Sequence, residues 1–379
     1  MARMFQTRSF QFLCVFVLLA AGGCACNQGT MQTCEINQPS LRPVMPNLIS
    51  PGQLAGSGLE IVWQGQLPLR QNEIPAMLKI LGNQICMLSN RHFLAVADRN
   101  NGQAAFSRTL TDPGLPIIGV DLYGRELFVS EDGGLATINS ESGAVPHEVK
   151  LGFSIACPSA RNSSFFYVAG TDRRIRVLRA EDKVKMFEVG AEDGSAITSV
   201  VAEEALAIFT TDSGFCVAFS YDAPHYLWKF KAEDAIAGLI AKDAESVFFA
   251  SKDTYLYRVK ADTGKLVWKC PMGTRLEKGP DVTQKCVYQY CDKGLVAIDR
   301  QSGKILWTQP EGISLLAEAG DNAYITTGAD GIIVMDNVQR QKAATINVPD
   351  FSKHAVNTID SQIYIIDDAG RIACLKPAK

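Results

Sequence analysis

The chain has 379 residues with 37 Lys+Arg against 40 Asp+Glu, nearly balanced, and no basic run that could track a phosphate backbone; this speaks against nucleic acid as a partner. Only four histidines are present, which leaves little material for hydrolytic or zinc chemistry. The length would fit two average domains, but repeat and all-β folds use such a length as one unit.

The first predicted element is an export signal over residues 1–23. Arg3 and Arg8 make a basic start, residues 12–21 an apolar run, and Gly22 and Gly23 a small-residue exit. The run is short of the about 20 residues that a membrane span needs, and no second such run follows. The order Ala21-Gly22-Gly23-Cys24 resembles a bacterial lipobox, whose cysteine is acylated and becomes the first residue. A lipobox prefers Leu where this chain has Ala21, so Cys26 and plain signal-peptidase cleavage stay open beside acylation at Cys24. Residues 24–58 are polar, carry Pro39, Pro43, Pro46 and Pro51, and show no periodicity. They predict a flexible, lipid-anchored linker.

From residue 59 the sequence repeats. The stretch Leu256-Tyr257-Arg258-Val259-Lys260-Ala261-Asp262-Thr263-Gly264-Lys265-Leu266-Val267-Trp268 returns 39 residues later as Leu295-Val296-Ala297-Ile298-Asp299-Arg300-Gln301-Ser302-Gly303-Lys304-Ile305-Leu306-Trp307. All four tryptophans, Trp63, Trp228, Trp268 and Trp307, fall on one phase of this repeat, and Phe106, His147 and Phe187 occupy the intervening slots; one period beyond Trp307 lands near Thr345. Upstream of each slot lies an alternating apolar hairpin, from Ile85-Cys86-Met87 and Leu94-Ala95-Val96 at the start to Ile363-Tyr364-Ile365 and Ile372-Ala373-Cys374 at the end. Eight hairpins are counted, with turns such as Asp212-Ser213-Gly214 between their strands.

A unit of about 40 residues with four short strands is one propeller blade. The predicted fold is therefore all-β, an eight-bladed β-propeller over residues 59–379. The last hairpin has no Trp strand after it and the body starts with a Trp strand that has no hairpin before it. Leu59-Glu60-Ile61-Val62-Trp63 should supply the outer strand of the last blade and close the ring, leaving no free edge there.

The two clear copies, with their Ala, Asp, Thr-Gly or Ser-Gly, Lys and Trp, resemble the PQQ-type propeller repeat. The resemblance implies an inter-blade clamp: the Trp of one blade, at 63, 228, 268 and 307, docks on the neighbouring blade's turn, where Gly264 and Gly303 stand in two of the turns. It also implies two alternative functions. Quinoprotein dehydrogenases of this family bind pyrroloquinoline quinone and Ca²⁺ over the axis and are much longer chains, usually with a Cys-Cys pair, which this sequence lacks. The outer-membrane assembly lipoproteins of the BamB type have an acylated cysteine, a flexible arm and eight blades without a cofactor. Address, length and blade count favour the second, a non-catalytic scaffold in a bacterial envelope. It would be anchored by lipid alone, face the periplasm from the outer membrane, and bind envelope proteins through propeller loops with no cofactor. The alternative is a quinone-dependent dehydrogenase or a sensor of a small ligand at the axis.

Tests for chemistry give nothing stronger. His92, His147, His225 and His354 sit in different repeats without metal-ligand spacing, and no phosphate loop or nucleophile elbow occurs. Cys86, Cys216 and Cys374 read as buried thiols in strands. Cys286 and Cys291 point to opposite faces of one strand, and a bridge from Cys270 to either is left open.

Overall fold

The computed structural model describes residues 40–378 except 51, 112–113, 146 and 329–330. The export signal, Cys24 and the first part of the linker lie outside these residues. The described chain is all-β, eight sheets of four antiparallel strands each, arranged as an eight-bladed β-propeller. Blade 1 runs through Pro75–Leu81, Gln84–Ser89, Phe93–Asp98 and Ala104–Thr109, and blades 2 to 7 repeat that order. First strands touch between blades 3 and 4, 4 and 5, 5 and 6, and 8 and 1, so the first strands ring the axis and the fourth strands form the rim.

The eight predicted hairpins are the second and third strands of the blades. Their apolar alternation reflects burial on both faces, as in Ser246–Ser251, which is buried throughout. The turn from third to fourth strand has one geometry in six blades. In blade 6 Asp299 N–H donates to Lys304 O at 2.8 Å and Gly303 N–H to Asp299 O at 2.9 Å, while Asp299 Oδ1 accepts from Ser302 N–H at 2.7 Å. These bonds from Ser302 hold the Asp299 carboxyl below the usual carboxylate range. The fifth turn residue is left-handed: Gly102, Gly143, Gly264 and Gly303, with Lys183 and Arg340 in the same place in blades 3 and 7.

The ring closes at blade 8. Leu59–Gln66 pairs antiparallel with Arg371–Pro377, from Leu59 opposite Pro377 to Gln66 opposite Arg371, beside Ile363–Ile366 and Lys353–Ala355. Two chain ends are thus zipped into one sheet.

The linker reading for 24–58 needs correction over residues 40–58, which pack on the body. Leu48, Ile49 and Leu54 are buried in one cluster with Ile346 and Val348 of blade 7 and Ile363 and Leu375 of blade 8. Gln64 grips Ile49 from both sides, accepting its N–H at 2.8 Å and donating to its carbonyl at 2.9 Å; Gln66 does the same for Met45 N–H, at 2.7 Å, and Pro43 O, at 3.1 Å. Arg42 donates to Asp368 O at 3.0 Å and to Glu73 O at 2.5 Å. The prolines that argue against regular structure do not prevent docking. Side-chain amides satisfy the backbone groups that no ladder reaches.

Candidate functional site

Three features can carry function: the seams between blades, the face where first strands turn into second strands, and the axial chamber.

At the seams each tryptophan reaches into the next blade's turn. Trp63 Nε1–H donates to Arg99 O, Trp228 to Ala261 O and Trp268 to Arg300 O, all at 2.9 Å; Trp307 donates to Asn337 Oδ1 at 2.7 Å. The rings of Trp63, Trp228 and Trp268 lie on glycine. A Cβ at Gly264 would come within 2.4 Å of Trp228, at Gly303 within 2.7 Å of Trp268, and at Gly102 within 2.4 Å of Trp63. Phe106 stands over Gly143 in the same way, at 2.6 Å. Gly102 and Gly143 escaped the sequence reading, although Asn101-Gly102 and Ser142-Gly143 stand at the offset of Thr263-Gly264.

Each tryptophan follows a bulge. In blade 6 the register slips between Ala297, opposite Trp307, and Ile298, opposite Ile305, so Leu306 has no partner. Blades 4 and 5 slip at the same place, and blade 8 slips just before Trp63. The extra residue turns the ring out of the strand's own alternation and toward the next blade. Phe187 holds the equivalent register in blade 3, opposite Val177. His147 does not act as a slot residue: it begins its strand, opposite Thr137, and is exposed. In blade 7 the slot belongs to Ala344, one residue before Thr345, and both are exposed.

On the face of the first-to-second-strand loops, charged groups join neighbouring blades around the axis. Asp360 of blade 8 pairs with Arg99 of blade 1, Lys79 of blade 1 with Asp121 of blade 2 at 3.2 Å, and Glu126 of blade 2 with Arg161 of blade 3. Glu203 of blade 4 pairs with Lys242 of blade 5 at 2.5 Å, Asp243 of blade 5 with Arg300 of blade 6, and Lys285 of blade 6 with Asp321 of blade 7 at 2.8 Å. Blades 3 and 4 are joined by Asn162 Nδ2 donating to Glu203 O at 3.0 Å, and blades 7 and 8 by Asn357 N–H donating to Leu316 O at 3.0 Å. In two of these pairs the cation lies much deeper than the carboxylate, whereas Lys79 and Lys285 are nearly as exposed as their partners. Side-chain exposure is 7% for Lys242 against 48% for Glu203, and 6% for Arg99 against 43% for Asp360. At Asp360 and Glu203 the mouth therefore presents carboxylate edges to solvent. Pairs as exposed as these contribute at most about 1 kcal/mol each, so apolar burial holds the seams and the ions mainly set their register.

Between these loops and the axis, Asp281 of blade 6 is half-buried, and burial pushes its carboxyl up to about 6 against the opposing pull of Lys278. On the first strand of blade 8, burial and Lys353 bring His354 down to about 4, so its imidazole is neutral at ordinary pH. A chamber of about 460 Å³, open to solvent, is walled mainly by first strands of blades 1 to 5, with Lys79, Asp121, Ser159, Ser199 and Leu239 among its lining.

Among the described residues no three His, Cys, Asp or Glu side chains are grouped so as to hold a metal ion. His92, His147, His225 and His354 therefore belong to no such group. Cys270, Cys286 and Cys291 are buried free thiols, as are Cys86, Cys157, Cys216 and Cys374, so the bridge left open for Cys270 is not formed. The strand Cys286–Cys291 keeps an unbroken register, which holds its two cysteines apart.

The fold defines the class, an eight-bladed β-propeller, and its repeat resembles the PQQ type. Residues 217–350, the arc that carries Trp228, Trp268 and Trp307, match the family model described as outer membrane protein assembly factor BamB. No curated protein matches the chain in sequence. Among solved structures, BamB from Moraxella catarrhalis is 16% identical with a TM-score of 0.65, over 84% of this chain and 97% of that one. The computationally designed Ika8 protein has the same TM-score, 0.65, at 12% identity, over 84% of this chain and 99% of its own. At such identities the likeness to these structures is one of fold.

Proposed function

We propose that this chain is a non-catalytic scaffold of the bacterial envelope that binds protein partners through the mouth face, in the assembly of outer-membrane proteins. The match of residues 217–350 to the BamB family model carries the reading. The mouth supports it, because half-exposed carboxylates above covered cations suit a partner segment rich in Lys and Arg. The seams tie all eight blades into one rigid frame, as a docking platform requires.

The proposed address is the periplasmic side of the outer membrane, with Cys24 acylated as the only membrane attachment. Fatty-acid labelling should mark the protein, and Cys24→Ser should release it from membranes; an unlabelled chain with a mature start beyond Cys26 contradicts the anchor.

Docking is tested by photo-crosslinking residues placed at Gln284 and Thr358 on the mouth face and at Asp212 and Asp292 on the opposite face. The expected result is adducts to outer-membrane assembly components from the first pair alone, lost with Asp243→Lys. Adducts from the opposite face alone overturn the reading. Dye reduction after adding pyrroloquinoline quinone with Ca²⁺ would favour the dehydrogenase alternative.

A further inference from the structure

The axial chamber contains a polar group that the propeller does not use. Ser159 is 5% exposed; its N–H donates to Ser130 Oγ at 3.1 Å, but its own Oγ is buried without any hydrogen-bond partner. Folded proteins seldom leave a buried hydroxyl in that state, so it points to something the chamber holds. Ser159 lines the chamber together with Ser199 and Lys79.

The spare capacity around it is mainly donor. Ser199 Oγ accepts Ile240 N–H at 3.2 Å and donates to no acceptor among the described residues. Lys79 uses two of its three protons, on Val120 O at 2.9 Å and Asp121 Oδ2 at 3.2 Å. The acceptors are already engaged: Asp121 Oδ1 takes Leu122 N–H at 2.9 Å and Oδ2 takes Lys79. The remaining wall is apolar, with Met77, Val120, Pro158, Val200, Leu239 and Ile240, apart from Arg161, which is paired with Glu126. Leu239 reaches the chamber because the first strand of blade 5 bulges between Ala237 and Ala241. Gly238, left-handed at φ 70°, permits that bulge where a Cβ would fall 2.2 Å from Gly279 N. A volume of about 460 Å³ lies within the range of small-molecule sites.

We propose that the axial chamber binds a small amphiphilic carboxylate. Its apolar body lies against Met77, Pro158, Val200 and Leu239, and its carboxylate accepts hydrogen bonds from Ser159 and Ser199 beside the Lys79 charge. The two cations of the lining, Lys79 and Arg161, are each already paired with a carboxylate, Asp121 and Glu126, which suits a single negative charge better than a phosphate dianion. The site shares Lys79 and Asp121 with one of the mouth pairs, but its assay needs no partner protein.

Titration calorimetry on the purified full chain, with decanoate and decanol as probes, tests this. Decanoate should bind with one-to-one stoichiometry, and decanol at least about tenfold more weakly, because a hydrogen bond to a charged group carries about that difference. Ser159→Ala should weaken decanoate about tenfold. Leu239→Trp should abolish binding by filling the chamber; at 54% exposure that position tolerates the change and keeps the test open if the serine variant folds poorly. Absence of decanoate binding, decanol binding as tight as decanoate, or an unchanged decanoate affinity in a folded variant would overturn the assignment.

Discussion

The seam between blades 5 and 6 and the seam between blades 7 and 8 solve one packing problem with different parts of the chain. At the first, Trp268 lies on Gly303 and donates to Arg300 O. At the second there is no such turn to receive a ring, because blade 8 is made from the two ends of the chain, and the slot holds exposed Ala344. Leu48, Ile49 and Leu54 of the N-terminal segment enter that apolar cluster instead. A seam requires apolar filling with satisfied backbone groups, and tryptophan is one means of providing it. The same segment that leads toward the proposed anchor thus also helps close the ring.

Truncation should break the comparison most visibly. Removing residues 1–39 leaves every described contact in place and should not change the melting temperature. Removing 1–56 takes away Leu48, Ile49 and Leu54 and should cost several kcal/mol, since each buried Leu or Ile side chain is worth about 1.5–3 kcal/mol. Removing 1–64 also strips the backbone pairing to Arg371–Pro377 and leaves an open edge, so it should cause aggregation. Thermal melts and light scattering on the three chains read the order; equal melting of the first two would mean that residues 40–56 contribute nothing to the seam.

At the clamped seam, Trp268→Ala should cost about 3–5 kcal/mol in urea unfolding. The companion change is Gly303→Ala, which places a methyl group 2.7 Å from the Trp268 ring at φ 70°. It should cost about 2–4 kcal/mol by itself, and much less in the Trp268→Ala background, because the clash goes with the ring. Simple additivity in that double-mutant cycle would contradict the clamp.

The smallest effect concerns charge at the mouth. Because Asp281 is raised from 3.8 to about 6, the folded chain holds a proton between these values that the unfolded chain has lost, and this group makes stability fall as pH rises through that window. Asp281→Asn should remove that slope and raise the melting temperature at pH 7.5 while leaving it unchanged at pH 3.5. His354, lowered from 6.5 to about 4, has the opposite slope, with stability rising as pH rises from 4 to 6.5, so the comparison is made at fixed His354.

The fold was legible because two blades, with Trp268 and Trp307, keep the repeat intact and because both faces of each hairpin are buried. The closing strand followed from counting which strand lacked a hairpin. The N-terminal segment was not legible, because its contacts are made by side-chain amides, Gln64 and Gln66, that join residues with no shared periodicity. His147 shows the limit of spacing: it keeps the phase of the repeat yet is a solvent-facing strand start. The mouth ion pairs and the unpartnered Ser159 depend on which loops the ring brings together, and no local pattern encodes that.

Amide hydrogen exchange on the full chain and on the chain lacking residues 1–56 tests the role of the N-terminal segment most directly. Loss of protection is expected only at the seam of blades 7 and 8, in Ile332–Asp336, Gln341–Ile346 and Ile363–Ile366, with Ser246–Ser251 and Gly294–Asp299 unchanged. Unchanged protection throughout, or an equal loss in all blades, would contradict it.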